Sequence, residues 1–324
     1  MLFSSIPGHT YLKERLIEMA NASCVGHALL FWGEEGQGAL ALALALAQQM
    51  ACTTKEEGLA CGKCSTCNKM QKLIHPDLHF AVPVNSVKPS DRNPITDLYI
   101  DTWREALLNN PYLLEYQWYE ALAVDNKSGN ISVHEANKIV KKLSFKAFEG
   151  DRKYMVIWLP ERMNIQAANT LLKILEEPPA GTHFFLVSEH PEQLLPTIRS
   201  RCQIIRVNPQ QISNRPEQQE EVALYARQII PCCMDKKLLP ALEWSDEVAD
   251  FGRERQRQLV LQLLEIIRNT FLEHVRGKGI TRNIPTSFFS EAADALNGAL
   301  ADIDRNVHAK MTFYTVALRL YHAC

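Results

Sequence analysis

Residues 154–207 constrain the fold more than any other part of the chain. A short, partly β-branched apolar run at residues 154–159 predicts a buried strand, and residues 183–188 predict a second one. Between them, Asn164 can cap a helix over residues 165–176. A crossover of this length joins parallel strands, because antiparallel neighbours need only a short turn. The segment therefore predicts an α/β fold, with a parallel sheet and helices on both of its faces.

Two motifs in this stretch carry a family resemblance. Residues 169–179 read Asn-Thr-Leu-Leu-Lys-Ile-Leu-Glu-Glu-Pro-Pro. Ser200-Arg201-Cys202 follows a short helix expected near Pro191 and comes just before a strand at residues 203–207. Together the motifs resemble the clamp-loader branch of the AAA+ ATPases. The resemblance implies a three-layer AAA+-like domain that assembles with other subunits into a ring.

Arg201 takes its expected role from this resemblance. In that family, the arginine of the Ser-Arg-Cys motif reaches the ATP site of the adjacent subunit. Its planar cation would stabilise charge on the transferring phosphoryl group, as an arginine finger in trans. Without the motif, the simpler interpretation of Arg201 is a salt bridge at the strand edge. We expect Ser200 to fix the local turn through its hydroxyl, and Cys202 to pack rather than react.

A glycine-rich segment after a strand predicted at residues 27–32 has the frame of a phosphate-binding loop. In such loops, backbone N–H groups cradle phosphates at the start of a helix. Here the family's lysine position holds alanine, its Mg²⁺-binding Ser/Thr position holds leucine, and two glutamates inside the loop would repel phosphate. We therefore predict a degenerate nucleotide site at Gly33, Gly36, Gly38, Ala39 and Leu40.

The second element of the ATPase machinery is also altered. In active relatives the central strand ends in Asp-Glu, which orients Mg²⁺ and the attacking water. By the resemblance, these two positions fall on Trp158 and Leu159. Neither side chain can bind a metal or polarise water. Glu161 is a possible substitute, but it follows Pro160 and lies two positions late, so we expect no ATP turnover.

Four cysteines within sixteen residues form a compact cluster. Their spacing, C-x8-C-x2-C-x2-C, indicates a tetrahedral Zn²⁺ site rather than disulfides in a chain whose thiols stay reduced. The alternative is four unlinked thiols. A closed four-sulfur site leaves no position open for catalysis, so the zinc would be structural. The predicted ligands are Cys52, Cys61, Cys64 and Cys67, while His75 and His79 are not expected to be ligands.

Composition excludes several classes of function. The formal net charge of −2 argues against a protein that holds DNA by its overall charge. No apolar run reaches the length of a membrane span, so no membrane partner is expected. The first residues lack the basic and then apolar pattern of a signal peptide. We therefore expect a cytoplasmic protein.

The character of the sequence changes after residue 207. Residues 208–221 are polar and contain two prolines, which predicts a linker, and residues 222–324 predict helices throughout. The resemblance implies that these helices are the family's oligomerisation collar, and that the small lid before them is reduced or lost. Residues 1–207 would form the AAA+-like domain, with the zinc module at 52–67 and an elaboration at 85–130.

The resemblance, together with the departures at Ala39, Leu40, Trp158 and Leu159, predicts a subunit that does not hydrolyse ATP. It would belong to a hetero-oligomeric ring, with ATPase motor subunits and a clamp-opening subunit, that loads a sliding clamp onto primed DNA during replication. Two alternatives remain. One is an active ATPase motor subunit of the same ring, which an ATPase assay on the purified chain would reveal. The other is a zinc-dependent nucleic-acid-binding protein, which salt-dependent DNA binding would reveal.

Overall fold

The chain folds as two compact units, Met1–Ser213 and Asn214–Cys324, each with a hydrophobic core of its own. The structure, a computed structural model, describes residues 1–85, 93–123, 129–208, 217–275, 285–305 and 307–323. Within those residues, no helix combines the length and the apolar character that crossing a membrane requires.

The first unit is built on five parallel strands: β1 (Ala28–Gly33), β2 (Leu78–Ala81), β3 (Lys153–Trp158), β4 (Thr182–Ser188) and β5 (Gln203–Val207). Their order across the sheet is β2-β3-β4-β1-β5. Each of the four strands predicted at residues 27–32, 154–159, 183–188 and 203–207 is found within one residue of its expected bounds. The predicted parallel α/β sheet is therefore confirmed.

Helices cover both faces of this sheet. They are α1 (Thr10–Asn21), α2 (Ala39–Ala51), α3 (Ser65–Gln71), α4 (Ile100–Asn109), α5 (Glu115–Ala121), α6 (Val133–Ser144), α7 (Ile165–Glu176) and α8 (Pro196–Arg199). Residues of α1, α2, α4 and α5 share a core with Phe31 on one face. Residues of α6, α7 and α8 share a second core with the adjacent strand residue, Leu30, on the other face. The alternation of strand side chains thus builds the three predicted layers.

Helix α2 is buried on every side, with all residues 39–50 buried. Its alternating alanines and leucines match the period of a half-buried strand, but both residue types are leading helix formers. The helix begins directly after Gly38, its N-cap. Because residues 39–47 are apolar on every side, they must be covered all round.

The connections of the sheet reverse direction at the carboxyl end of β1 and β4. The helix after β1, α2, packs on one face, whereas the helix after β4, α8, packs on the other. Strands β1 and β4 are neighbours, with Trp32 paired to Ser188. In open parallel sheets, ligands bind outside the carboxyl ends of the strands at such a switch point. The degenerate loop lies at this edge.

Local signals account for the starts of α7 and α8. The Asn164 side chain accepts a hydrogen bond from the Ala167 N–H at 2.7 Å and caps α7 as predicted. The short helix expected near Pro191 is instead a 3-10 turn, Pro191–Gln193, followed by α8. Pro196 stands at the start of α8, where its missing N–H costs nothing, and the same missing N–H prevents it from extending the preceding turn.

The elaboration predicted at residues 85–130 contributes α4 and α5, and its residues 86–92 and 124–128 lie outside the described part. The helix expected at 95–109 begins as a 3-10 turn, Thr96–Tyr99, and continues as α4. Trp118 of α5 is fully buried, and its Nε1 donates to Pro83 O at 2.7 Å. This side chain is therefore part of the core.

The second unit is helical where it is described. Its helices are α9 (Glu217–Met234), α10 (Leu238–Ala249), α11 (Arg253–Val275), α12 (Thr286–Asp304) and α13 (Ala309–Ala323), and all five contribute to one core. Residues 217–221, predicted as part of a linker, are helical, because α9 begins at Glu217. Residues 209–216 lie outside the described part. The collar and the reduced lid stay predictions.

Candidate functional site

Residues 33–40 connect β1 to α2 at the carboxyl edge of the sheet. Gly36 and Gly38 have φ angles of 69° and 82°, in the left-handed region that favours glycine. The next two residues, Ala39 and Leu40, are 8% and 5% exposed. Neither offers a cation or a hydroxyl. The two glycines therefore form the tight turn that the sequence predicts, and the degenerate nucleotide site stays a prediction.

Tyr112, which precedes α5, packs against this loop. A Cβ atom built on residue 38 would lie 2.9 Å from Tyr112 Cε1, so the ring fills the space beside the last glycine. The Tyr112 hydroxyl is buried and has no hydrogen-bond partner among the described residues. Burial raises the pKa of Tyr112. No local sequence pattern connects Tyr112 with a loop more than seventy residues earlier, so its position could not be predicted.

The end of β3 is apolar and filled. Trp158 and Leu159 are 2% and 1% exposed. The Trp158 ring lies 5.1 Å from the Trp103 ring of α4, which in turn lies 5.2 Å from the Trp118 ring of α5. These indoles offer no oxygen ligand. Trp158 and Leu159, which the family resemblance places at the Asp-Glu positions, thus belong to the core.

Glu161 has a structural partner at the neighbouring strand. Its Oε1 accepts hydrogen bonds from the backbone N–H groups of Glu189 and His190, at 3.0 and 3.2 Å. Its Oε2 is buried and unpartnered within the described part of the chain. Because both N–H groups follow β4, this carboxylate ties the end of β4 to the turn after β3.

His9 supports the loop from the side of α1 and was missed by the sequence analysis. It is 5% exposed, and its Nε2 lies 2.9 Å from Gln37 O. Burial lowers the pKa of His9. The ring is therefore neutral at pH 7, with its proton on Nε2, because a carbonyl oxygen can only accept. The Pro-Gly-His sequence directly before α1 is the feature from which a structural role for His9 could have been predicted.

Arg201 lies between α8 and β5 with its side chain 32% exposed. Its Nη1 donates to Thr197 O at 2.8 Å, and its Nη2 donates to the Glu176 carboxylate at the end of α7. The salt bridge that the sequence analysis offered as the simpler interpretation is therefore present within the chain. The finger concerns a neighbouring subunit and stays a prediction.

The two residues beside Arg201 differ in their contacts. Ser200 Oγ donates to Thr197 O at 3.1 Å, across the last turn of α8. Cys202 packs against the core on the α7 side of the sheet. Burial raises the pKa of Cys202 to about 11. At neutral pH the side chain is then a thiol, which is a poor nucleophile.

The four clustered cysteines come together as a candidate metal centre. The Sγ atoms of Cys52, Cys61, Cys64 and Cys67 all lie within 4.8 Å of one another. A tetrahedron with Zn–S bonds of ~2.3 Å has edges of about 3.8 Å, and the Sγ atoms of Cys52 and Cys61 are 3.7 Å apart. All four are free thiols. The donor set and its spacing therefore fit a tetrahedral metal ion.

Helix α3 places one of these sulfurs at a helix N-terminus. Cys64 is the N-cap of α3, and its Sγ accepts from the Cys67 N–H at 3.4 Å. Burial opposes ionisation, but hydrogen bonds from Cys67 and other neighbours outweigh it and lower the pKa of Cys64 to about 6. The thiolate that a metal requires is thus favoured at this position.

The end of α2 anchors the metal-binding loop. Gln49 is 1% exposed; its Oε1 accepts from the Ala60 N–H at 2.7 Å, and its Nε2 donates to Gly58 O at 2.6 Å. These bonds hold the chain just before Cys61. Gln49 was not predicted as a functional residue, because a polar side chain at the end of an apolar helix is usually exposed to solvent.

Comparison with known proteins gives consistent results. Residues 8–211 match the family described as DNA polymerase III, delta subunit. The subunit delta′ of Escherichia coli K12 is 29% identical over 218 residues, 67% of this chain and 51% of that protein. The Bacillus subtilis delta′ subunit is 30% identical over 250 residues, 75% of this chain and 60% of that protein. A solved Thermotoga maritima gamma-subunit-related protein gives a TM-score of 0.45 at 15% identity, covering 96% of this chain and 99% of that one.

The family match covers the degenerate loop, the four cysteines and both sequence motifs. The AAA+ resemblance of the sheet domain is thereby confirmed. The chain spans about half the length of the curated relatives it matches, 51% for the E. coli protein and 41% for that of Pseudomonas aeruginosa. The family model matches residues 8–211, more than half of the 324 residues, and the relatives named above are delta-prime subunits. This chain therefore belongs to the family of DNA polymerase III delta-prime subunits.

Proposed function

We propose that this chain is a non-hydrolysing subunit of the DNA polymerase III clamp loader. The observation that carries the proposal is the nucleotide edge of the sheet. Ala39 and Leu40 stand where phosphate and Mg²⁺ would need a lysine and a hydroxyl, and both are buried. Trp158 and Leu159 are buried at the end of β3. Two independent losses remove both the phosphate cation and the metal ligands.

The packing around this edge supports the same conclusion. Tyr112 fills the space beside Gly38. Trp103 covers Trp158 from α4. Both come from the elaboration at residues 85–130. Glu161, the one carboxylate considered as a substitute, is engaged by two backbone N–H groups. A site filled by its own side chains is a rigid support rather than a motor.

Arg201 is the chemical contribution that the proposal assigns to this chain. Its guanidinium is partly exposed next to β5, within the Ser-Arg-Cys motif that resembles the family's. It would act in trans on ATP held by an adjacent motor subunit, with Ser200 and Cys202 shaping the turn. The ring would also contain the clamp-opening subunit and would place the sliding clamp on primed DNA.

The metal centre belongs to the proposal as a structural zinc. Cys52, Cys61, Cys64 and Cys67 would hold Zn²⁺ with four sulfurs, which leaves no open position for a substrate. The ion would join the end of α2 to α3 and fold the intervening loop. A cytoplasmic location completes the proposal, because reduced thiols are what a four-cysteine zinc site requires.

The test is reconstitution with the motor and clamp-opening subunits of the same organism. We expect this chain to co-purify with them, and the complex to load a sliding clamp onto primed DNA only when this chain is included. An Arg201→Ala complex, expected to assemble normally, serves as the matched control for assembly without the finger. Failure to form any complex, or loading at the full rate without this chain, would refute the proposal.

A further inference from the structure

The Arg201 guanidinium is held by its own chain. Its Nη2 is paired with the Glu176 carboxylate, and its Nη1 donates to Thr197 O at 2.8 Å. The Arg201 Nε is buried and makes no hydrogen bond to the described residues. The side chain therefore folds back along α8 toward α7. To reach a phosphate on another subunit, it must first give up Glu176.

Glu176 stands at a position that a carboxylate does not favour. It is the last residue of α7, and the helix C-terminus carries partial negative charge. The C-cap residue, Glu177, adds a second acid at the same end. Arg201 brings a compensating cation to Glu176. The Glu176 carboxylate does not stabilise α7 by itself. Its favourable interaction is the ion pair with Arg201.

The pair is exposed enough to exchange partners. The side chains of Arg201 and Glu176 are 32% and 46% exposed. Ion pairs of this kind are weak in water, because solvent screens them and two long side chains lose freedom. A triphosphate carries several negative charges and offers oxygens that match the guanidinium fork. It can displace a single carboxylate from Arg201.

We propose that Glu176 restrains Arg201 on its own subunit until phosphate from a neighbouring subunit displaces the carboxylate. The inference rests on the finger role proposed for Arg201 and adds the residue that controls its release. Because of this restraint, Arg201 is free to contact the neighbouring ATP in only a fraction of the molecules. The apparent affinity of the neighbouring site for ATP is the intrinsic affinity multiplied by that fraction.

The test compares Glu176→Gln with Glu177→Gln in the reconstituted ring. Both variants remove one negative charge at the same helix end, but only the first removes the partner of Arg201. Steady-state ATPase is measured against ATP concentration. We expect Glu176→Gln to lower the KM of the one ATP site beside this chain by about two- to five-fold, the factor that an exposed ion pair supplies, and to leave kcat unchanged. In a ring with several ATP sites, only this component of the ATPase curve should shift. We expect Glu177→Gln to match the unmodified ring.

The Arg201→Ala background separates this inference from the proposed function. There, Glu176→Gln should have no further effect, since the residue it restrains is gone. If Arg201→Ala lowers the ATPase rate while Glu176→Gln behaves like Glu177→Gln, the restraint is wrong and the finger stands. A lower kcat at unchanged KM would also overturn the restraint, because Glu176 would then align the fork. An Arg201→Ala ring with unchanged ATPase would end both proposals.

Discussion

Glu161 gives the sharpest test of how the nucleotide edge is built. It was the only acidic residue considered as a replacement for the lost catalytic pair. In the structure, its Oε1 accepts from the N–H groups of Glu189 and His190 at 3.0 and 3.2 Å. Glu161→Ala should therefore destabilise the first unit and leave the ATPase activity of an assembled ring unchanged.

The size of this effect follows from the two hydrogen bonds. A hydrogen bond to a charged group contributes about 1.5–3 kcal/mol, and two bonds to one oxygen are not additive. Because Glu161, Glu189 and His190 are only half-buried, water recovers part of the loss. We expect about 2–4 kcal/mol for Glu161→Ala and about 1 kcal/mol for Glu161→Gln, which keeps an acceptor and loses the charge.

Urea unfolding of the full chain, followed by tryptophan fluorescence, measures this change. Four of the five tryptophans, Trp32, Trp103, Trp118 and Trp158, lie in the first unit, so the signal reports mainly on that unit. With an m-value of about 2 kcal/mol/M, the Glu161→Ala midpoint should fall by roughly 1–2 M. Glu192→Ala, an exposed carboxylate beyond β4, is the control and should shift by less than about 0.5 kcal/mol.

The opposite pattern would refute this reasoning. If Glu161→Gln left the urea midpoint unchanged and reduced ATP hydrolysis by the assembled ring, the carboxylate would be acting on water or metal. The anchoring role would then be wrong, and the site would not be degenerate.

Three further outcomes follow from the site. Cys64→Ser should release about one equivalent of zinc, measured by metal analysis, and should raise hydrogen exchange across residues 52–67 while sparing the sheet. The isolated chain should show no Mg²⁺-dependent ATP hydrolysis, and Ala39→Lys should not create any, because Leu40, Trp158 and Leu159 still offer no metal ligand. Arg201→Ala should lower the ring's ATPase partially, since roughly 10³–10⁵ in rate is lost at one site only. Arg201→Lys should recover little, because a point charge lacks the planar fork.

Two of these outcomes have a matched control, and each has a result that would contradict it. Cys24→Ser changes an exposed thiol outside the cluster and should keep the zinc; native protein without zinc would contradict the metal assignment. A contaminant-free ATPase rate from the unmodified chain would contradict the degenerate loop. Arg199→Ala removes an exposed cation two residues from Arg201 and should leave the ring's rate unchanged. Equal losses from Arg199→Ala and Arg201→Ala would show that local charge, not a finger, is at work.

Local patterns in the sequence carried the frame of the first unit. Short apolar runs predicted β3 and β4 within one residue, since a strand buried on both faces must be continuously apolar. The Asn164 cap was readable because its partner, the Ala167 N–H, lies three residues away. The cysteine spacing was readable for the same reason. In each case the interacting groups are close along the chain.

Contacts between distant segments decided what the nucleotide edge and Arg201 do. The sheet order brings together residues that are distant in the sequence. Tyr112 packs against Gly38, Trp103 packs on Trp158, and Glu161 accepts a hydrogen bond from the backbone after β4. Glu176 meets Arg201 only because α7 and α8 pack on the same face. No periodic pattern in the sequence predicts such pairs. The number of residues between the two partners depends on the path of the connections between strands. The sequence by itself determined which chemical groups this chain lacks; the tertiary structure decided which side chains fill their places.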